Sequence, residues 1–389
     1  MKLARRVFRL STESAFEVLT KARALEAQGR EIVHLEIGEP DFDTPSHIVE
    51  AAIAALRRGE THYTPSAGIM PLREAIAKEV SRTRGIPVEP EEVVVTPGAK
   101  PIIFFTLLAL CQQGDEVIYP NPGFPIYEST IRFAGARPVP IRLRPENGFS
   151  LDPDELRRLL TSRTRLLILN SPGNPTGSVL SQADVEAIAR VLQGYDCLVL
   201  SDEIYSRLIY EGSHFSIASV PGFKERTVIL DGFSKTYAMT GWRLGYGVMP
   251  KALAEYITLL MINSNSCTAT FSQHAGIAAL TGPQEPVEKM VAAFRERRQV
   301  IVDGLNALPG VKCPLPQGAF YAFPNIEGTG LKSKALADLL LEEAGVAVLS
   351  GTAFGAYGEG FLRLSYANSV ANLRKALARM EELLTKIVR

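Results

Sequence analysis

Short apolar runs alternate with stretches of helical periodicity through the middle of the chain. The runs are Val93–Val95, Glu116–Tyr119, Leu166–Leu169, Leu198–Leu200 and Thr227–Leu230. They are continuous rather than alternating. Strands of that kind are buried on both faces, as in a largely parallel sheet covered by helices on either side. Each run gives way to a cluster of turn-forming or polar residues: Thr96-Pro97-Gly98-Ala99, Pro120-Asn121-Pro122-Gly123, Asn170-Ser171-Pro172-Gly173, Ser201-Asp202-Glu203 and Asp231-Gly232-Phe233-Ser234. In an open α/β sheet, ligands bind beyond the carboxyl ends of the strands. Five clusters are therefore expected on one edge.

The pattern changes near residue 280. Pro283 and Pro286 mark a start, and Val287, Met290, Val291 and Phe294 then recur at helical spacing, predicting a helix to about Leu308. Strands are expected at Phe320–Phe323, Val346–Leu349 and Phe361–Tyr366, with helices near 331–344 and from about 371. The organisation expected is an α/β fold with a large domain over 46–280 and a smaller α+β domain over 281–389. Residues 1–45 form a segment that packs on the small domain or on a partner subunit.

Charge and composition narrow the function. Among 389 residues, Lys+Arg and Asp+Glu are both 42. A chain without basic excess is a poor nucleic-acid binder. No apolar run is long enough to span a bilayer, and no signal-peptide stretch follows Met1-Lys2-Leu3-Ala4-Arg5-Arg6. Cys111, Cys197, Cys267 and Cys313 lie far apart without metal or redox spacing. Reduced structural cysteines and a cytoplasmic protein are expected.

The candidate chemistry centres on Gly232-Phe233-Ser234-Lys235-Thr236-Tyr237-Ala238-Met239-Thr240-Gly241-Trp242-Arg243-Leu244-Gly245. An amine that forms and breaks a Schiff base needs a fixed place, an anion-binding neighbour and little steric cover, and this run supplies all three around Lys235. Pyridoxal phosphate (PLP) would demand more, and the other strand ends offer it. Asp202 could face the pyridine nitrogen and make the ring an electron sink. Tyr205, three residues on, could reach the phenolate oxygen, and Asn174, in a loop after a strand, offers a cofactor-facing amide. Gly98-Ala99-Lys100 opens a helix whose free amides suit a phosphate. Ser234 and Arg243 add a hydroxyl and a guanidinium fork. Phe124 could stack on the ring. Arg363, in the alternating run Phe361-Leu362-Arg363-Leu364-Ser365-Tyr366, calls for an anion, and an α-carboxylate is a natural one.

Together these residues resemble the class I/II aminotransferases of PLP fold type I, closest to the bacterial aspartate-aminotransferase-like subgroup. Gly38-Glu39-Pro40-Asp41-Phe42 and Tyr63-Thr64-Pro65-Ser66-Ala67-Gly68 match two further landmarks, in order, over roughly 30–385. The resemblance implies that Lys235 carries PLP and shuttles the proton from Cα. It assigns Ala99, Lys100, Ser234 and Arg243 to the phosphate, and Asn174, Arg363 and a backbone contact at Gly38 to the α-carboxylate. It implies a homodimer in which Tyr63 reaches the partner's phosphate. It also implies a distal-carboxylate role for Lys100, favouring aspartate with 2-oxoglutarate. Where animal-type aspartate enzymes carry a tryptophan, this chain has Phe124. Alanine, aromatic amino acids and kynurenine stay open as donors, as does a β-lyase on the same scaffold. A PLP-binding regulator is disfavoured, since only about 30 residues precede the first landmark, too few for a DNA-binding helix-turn-helix.

Overall fold

The computed structural model describes residues 1–11 and 14–388. After β1 (Val33–His34), seven strands build the central sheet: β2 (Val93–Thr96), β3 (Glu116–Asn121), β4 (Arg137–Arg142), β5 (Thr164–Asn170), β6 (Leu198–Asp202), β7 (Thr227–Gly232) and β8 (Gly245–Val248). Their spatial order is β2-β8-β7-β6-β5-β3-β4. Strand β8 runs antiparallel to both neighbours, and the other pairings are parallel.

Successive side chains of one strand feed different cores. Val93 and Val95 join a cluster with Ile48, Leu72 and Ile76, whereas Val94 joins one with Ile102, Val117 and Ile131. In β5, Leu166 and Ile168 face that second cluster, and Leu167 and Leu169 face a third with Val185 and Ile188. This two-sided burial is why the strands read as unbroken apolar runs. Each such side chain contributes about 1.5–3 kcal/mol on leaving water.

Two strands escape the apolar pattern. Strand β4, Arg137-Pro138-Val139-Pro140-Ile141-Arg142, carries two prolines, which its edge position tolerates because one side needs no ladder. Strand β8, Gly245-Tyr246-Gly247-Val248, is half glycine. A Cβ at Gly245 would lie 2.4 Å from the Ala99 amide nitrogen, and one at Gly247 would meet Ile102 Cδ1 at 2.9 Å. Bare backbone here lets the helix Lys100–Leu110 sit directly on the sheet.

A second, three-stranded sheet has the order β11-β12-β9, made by β9 (Tyr321–Ala322), β11 (Leu349–Ser350) and β12 (Leu362–Ser365). Between them, β10 (Val346–Ala347) pairs in parallel with β1 instead. The expected single strand Val346–Leu349 is thus two, changing partner at Val348. Helices Glu285–Ala307, Ser333–Glu342 and Val370–Ile387 complete this part. Its core gathers Phe294, Phe320, Tyr321, Tyr366, Leu373 and Leu384 with Leu35 from the extended segment after β1. Further upstream, the Ser11 amide donates to Ser129 Oγ at 2.9 Å.

Candidate active site

All parallel strands point the same way, so the carboxyl ends of β2, β3, β5, β6 and β7 share one edge. Strand β8, reversed, begins there. Lys235 lies on a one-turn helix, Phe233–Thr236, directly after β7, and its Nζ donates to the Gly38 carbonyl. The amine is pushed down to about 8, chiefly by loss of water. Repulsion from Arg363, Lys100 and Arg243 adds to this, and Glu39 opposes it.

Asp202 ends β6 and is 4% exposed. It accepts from the Tyr127 hydroxyl at 2.6 Å and from the Ile204 amide at 3.3 Å. Burial raises it to about 6; those two donors oppose the rise, and the carboxylates of Asp231 and Glu203 reinforce it. Residues 204–207 form a turn rather than the first turn of a helix. Within it Tyr205 is buried, its hydroxyl 2.7 Å from that of Tyr321. Burial holds the Tyr205 phenol well above its usual range.

Loop 171–177 hangs from Asn170. The Asn170 amide donates to the Asp202 carbonyl at 3.1 Å, and its oxygen accepts from the Asn174 N–H at 2.9 Å. The side-chain oxygen of Asn174 is buried with no hydrogen-bond partner.

At the end of β2, Gly98 takes φ +82°. A Cβ there would lie 2.1 Å from Arg243 Nη2, so only glycine lets the guanidinium lie across the start of the helix Lys100–Leu110. Arg243 is fixed by a bond to the Thr240 carbonyl at 2.6 Å. Ser234 is buried beside Lys235 in the one-turn helix. Lys100 Nζ stands 5.5 Å from the Phe124 ring centroid, and Phe124 packs edge-on against Tyr127.

Arg363, on β12, reaches the same space from the other sheet. It is 3% exposed, with its guanidinium 4.6 Å from the Tyr321 ring centroid and 5.2 Å from that of Phe354. Its Nη2 donates to the Glu36 carbonyl. One extended segment, 36–38, thus offers one carbonyl to Arg363 and another to Lys235. A Cβ at Gly38 would strike the Tyr321 hydroxyl at 2.4 Å. Tyr63 makes none of these contacts and is 88% exposed.

Sequence reasoning missed Tyr127, Tyr321 and Asn170. Tyr127 had a local signal: it stands three residues past Phe124, at the start of the helix Ile126–Ala134. Tyr321 had only an aromatic pair with Phe320 to announce it, which reads as core. No group of three or more His, Cys, Asp or Glu among the described residues is placed to hold a metal ion.

The sequence matches the family described as aminotransferase class I and II over residues 30–380. It is 42% identical to the aspartate aminotransferase of Geobacillus stearothermophilus, with 99% of each chain covered. It is 43% identical to aromatic-amino-acid aminotransferase 2 of Thermococcus litoralis, covering 92% of this chain and 93% of that one. A solved structure of the Thermus thermophilus aspartate aminotransferase with maleate superposes with a TM-score of 0.95 at 42% identity, covering 98% of this chain and all of that one. With family and fold in agreement along nearly its whole length, the chain belongs to the class I and II aminotransferases.

Proposed function

We propose that this transaminase moves the amino group of L-aspartate to a 2-oxo acid such as 2-oxoglutarate, with PLP as the carrier its family uses. One observation carries the substrate choice: three cations, Arg363, Lys100 and Arg243, gather around Lys235 and depress its amine, with Glu39 opposing them. A ligand set of phosphate, α-carboxylate and distal carboxylate matches them one for one. The relative solved with maleate, a dicarboxylate, supports the same reading.

The residues suit PLP. The raised Asp202 carboxyl and the Gly98–Arg243 cradle are an anion and an anion-binding corner in search of partners. When bound, PLP supplies an electron sink for the bond electrons released at the substrate Cα. Asp202 would hold positive charge on the ring nitrogen, and that charge would return the Asp202 carboxyl toward its ordinary range. The Tyr205 hydroxyl and the Asn174 side-chain N–H would donate to the phenolate oxygen. Gly98, the backbone amides of Ala99 and Lys100, Ser234 and Arg243 would form the phosphate corner, leaving the Lys100 amine for the distal carboxylate, and Phe124 would pack on the ring. Lys235 takes the Cα proton as a neutral amine. A shift from 10.5 to about 8 raises its neutral fraction at neutral pH by about two to three orders of magnitude. Arg363 and Asn174, with Gly38, orient the α-carboxylate.

The same reading makes the enzyme a cytoplasmic homodimer, with the exposed Tyr63 completing the partner's phosphate site. Exposed Tyr256, Leu259 and Ile262 on the helix Lys251–Ser264 support a subunit contact. It keeps 1–45 as a segment packing on the small domain or the partner subunit, 46–280 as the large cofactor-binding domain and 281–389 as the small domain.

Single amino acids mixed with the PLP-loaded enzyme test the function through conversion to the pyridoxamine form. Aspartate should convert at least about tenfold faster than alanine, a difference of one charge-assisted contact. Lys100→Ala should cost aspartate about tenfold and leave alanine within about twofold. Equal wild-type rates with both amino acids would sink the aspartate reading. In Arg363→Lys the charge stays but the fork and its two ring contacts go. KM for aspartate should rise about ten- to a hundredfold with kcat little changed, because ground and transition states lose the same contact. A KM within about twofold of wild type would remove Arg363 from carboxylate binding.

A further inference from the structure

Behind the edge that carries Asp202 and Lys235 lies a buried ionic cluster that the reaction as described does not use. Arg84 is the last residue of the helix Met70–Arg84, ended by Gly85 at φ +65°. Its side chain is 4% exposed. Nε donates to Glu203 Oε2 at 2.9 Å and Nη2 to Asp231 Oδ2 at 2.7 Å. Both carboxylates are enclosed and fully engaged. Ser201 and Ser216 donate to Glu203 Oε1 at 2.9 and 2.5 Å, and His214 Nε2 lies 2.9 Å from Oε2. Asp231 accepts from Ser206 Oγ at 3.0 Å and, through Oδ1, from the Gly232 amide at 2.7 Å.

The placement in the chain gives this cluster its meaning. Glu203 is the residue after Asp202. Asp231 begins the run Asp231-Gly232-Phe233-Ser234-Lys235. Strands β6 and β7 pair side by side, with Asp202 opposite Leu230, so Arg84 spans the two adjacent strand ends that deliver the acid and the amine. A buried ion cluster is a poor way to gain stability, since apolar residues of equal volume do as well or better. What it can do is fix geometry and charge. Three carboxylates, Asp202, Glu203 and Asp231, share this space. Arg84 faces two of them, His214 faces Glu203, and the hydroxyls of Tyr127 and Tyr246 complete the surroundings, with Glu79 and Arg207 at the rim. Like charges so close cannot all stay ionised without a countercharge.

We propose that Arg84 is a positioning residue for the transamination: its two-armed ion pair fixes the ends of β6 and β7 and offsets their charge, so that Asp202 stays ionised and the Lys235 turn stays in place. The proposal rests on the roles given above to Asp202 and Lys235. Without Arg84, a proton enters the cluster and Asp202 competes for it. A neutral Asp202 no longer sustains charge on the ring nitrogen. In the loaded enzyme, the nitrogen of Lys235 would then hold its proton more tightly.

The test uses PLP-loaded Arg84→Met and follows the pH titration of the Lys235-bound chromophore alongside kinetics. Expected are an upward shift of the titration midpoint by about half a unit or more, a kcat about ten- to a hundredfold lower, and a KM for aspartate within about threefold of wild type. Asp231→Asn removes one negative charge instead and should move the midpoint the other way, a sign that loss of packing cannot produce. It also carries the test if Arg84→Met fails to fold. A folded Arg84→Met with wild-type midpoint and kcat, or an unmoved midpoint in Asp231→Asn, would overturn the proposal alone. A wild-type enzyme whose chromophore responds to no amino acid would overturn it together with the reading of the site.

Discussion

Lys235→Ala should yield a folded protein whose transamination is at least about ten-thousandfold slower than wild type, the upper range of what one acid–base group supplies. The substitution removes the amine that the fold takes trouble to place. Its Nζ is pinned to Gly38, stripped of water and surrounded by three cations, so that it sits near 8 rather than 10.5. No neighbouring side chain offers a second amine on the same short helix, Phe233–Thr236. Folding should survive, since the site loses a desolvated cation and not a packed apolar chain. The visible absorbance of the lysine-bound cofactor should vanish with the activity. Single-turnover mixing with aspartate, read by absorbance, makes the check. Turnover within about a hundredfold of wild type would end the assignment of Lys235.

Asp202→Asn should be the next most damaging change, lowering kcat by about a hundred- to a thousandfold, the effect of losing one preorganised charge from a dry site. Asparagine keeps the shape and can still accept from the Tyr127 hydroxyl, but it cannot stay anionic opposite a protonated ring nitrogen. The pH dependence gives an independent reading. In the ligand-free wild type Asp202 takes up a proton near 6, so cofactor affinity should be full above that pH and fall as pH drops through it. Asp202→Asn should bind weakly throughout and lose that fall. Equilibrium titration of the apo protein with PLP between about pH 5 and 8 measures both. Wild-type affinity in the variant at neutral pH would mean that Asp202 does not face the ring nitrogen.

The large sheet was legible because strands buried on both faces, whichever way their neighbours run, must be apolar at every position. Val93–Val95 and Leu166–Leu169 leave no other reading. Strands β4 and β8 were not legible, and for opposite reasons. The first is an edge that tolerates Pro138 and Pro140, and the second owes its glycines to a helix pressing on it. Site residues at strand ends stood out since each was a polar break after an apolar run. Arg84, Glu203 and Asp231 hid in plain view. A helix-terminal arginine usually reads as solvated, and nothing local says that three elements will close over it. The division of Val346–Leu349 between two sheets was equally invisible, because pairing partners are set by tertiary contact and not by propensity.

The reversed strand β8 has one more consequence. Lys235 leaves the top of β7, Arg243 enters β8 beside it, and the ladder from Ile229–Val248 to Gly232–Gly245 locks the two strands together. The amine and the guanidinium therefore ride on a single hairpin of the seven-stranded sheet. Arg363 belongs to the other sheet, on β12. Under the proposed function, the amine and phosphate contacts would share one sheet, and the substrate α-carboxylate would be held from both, by Asn174 after β5 and by Arg363 on β12.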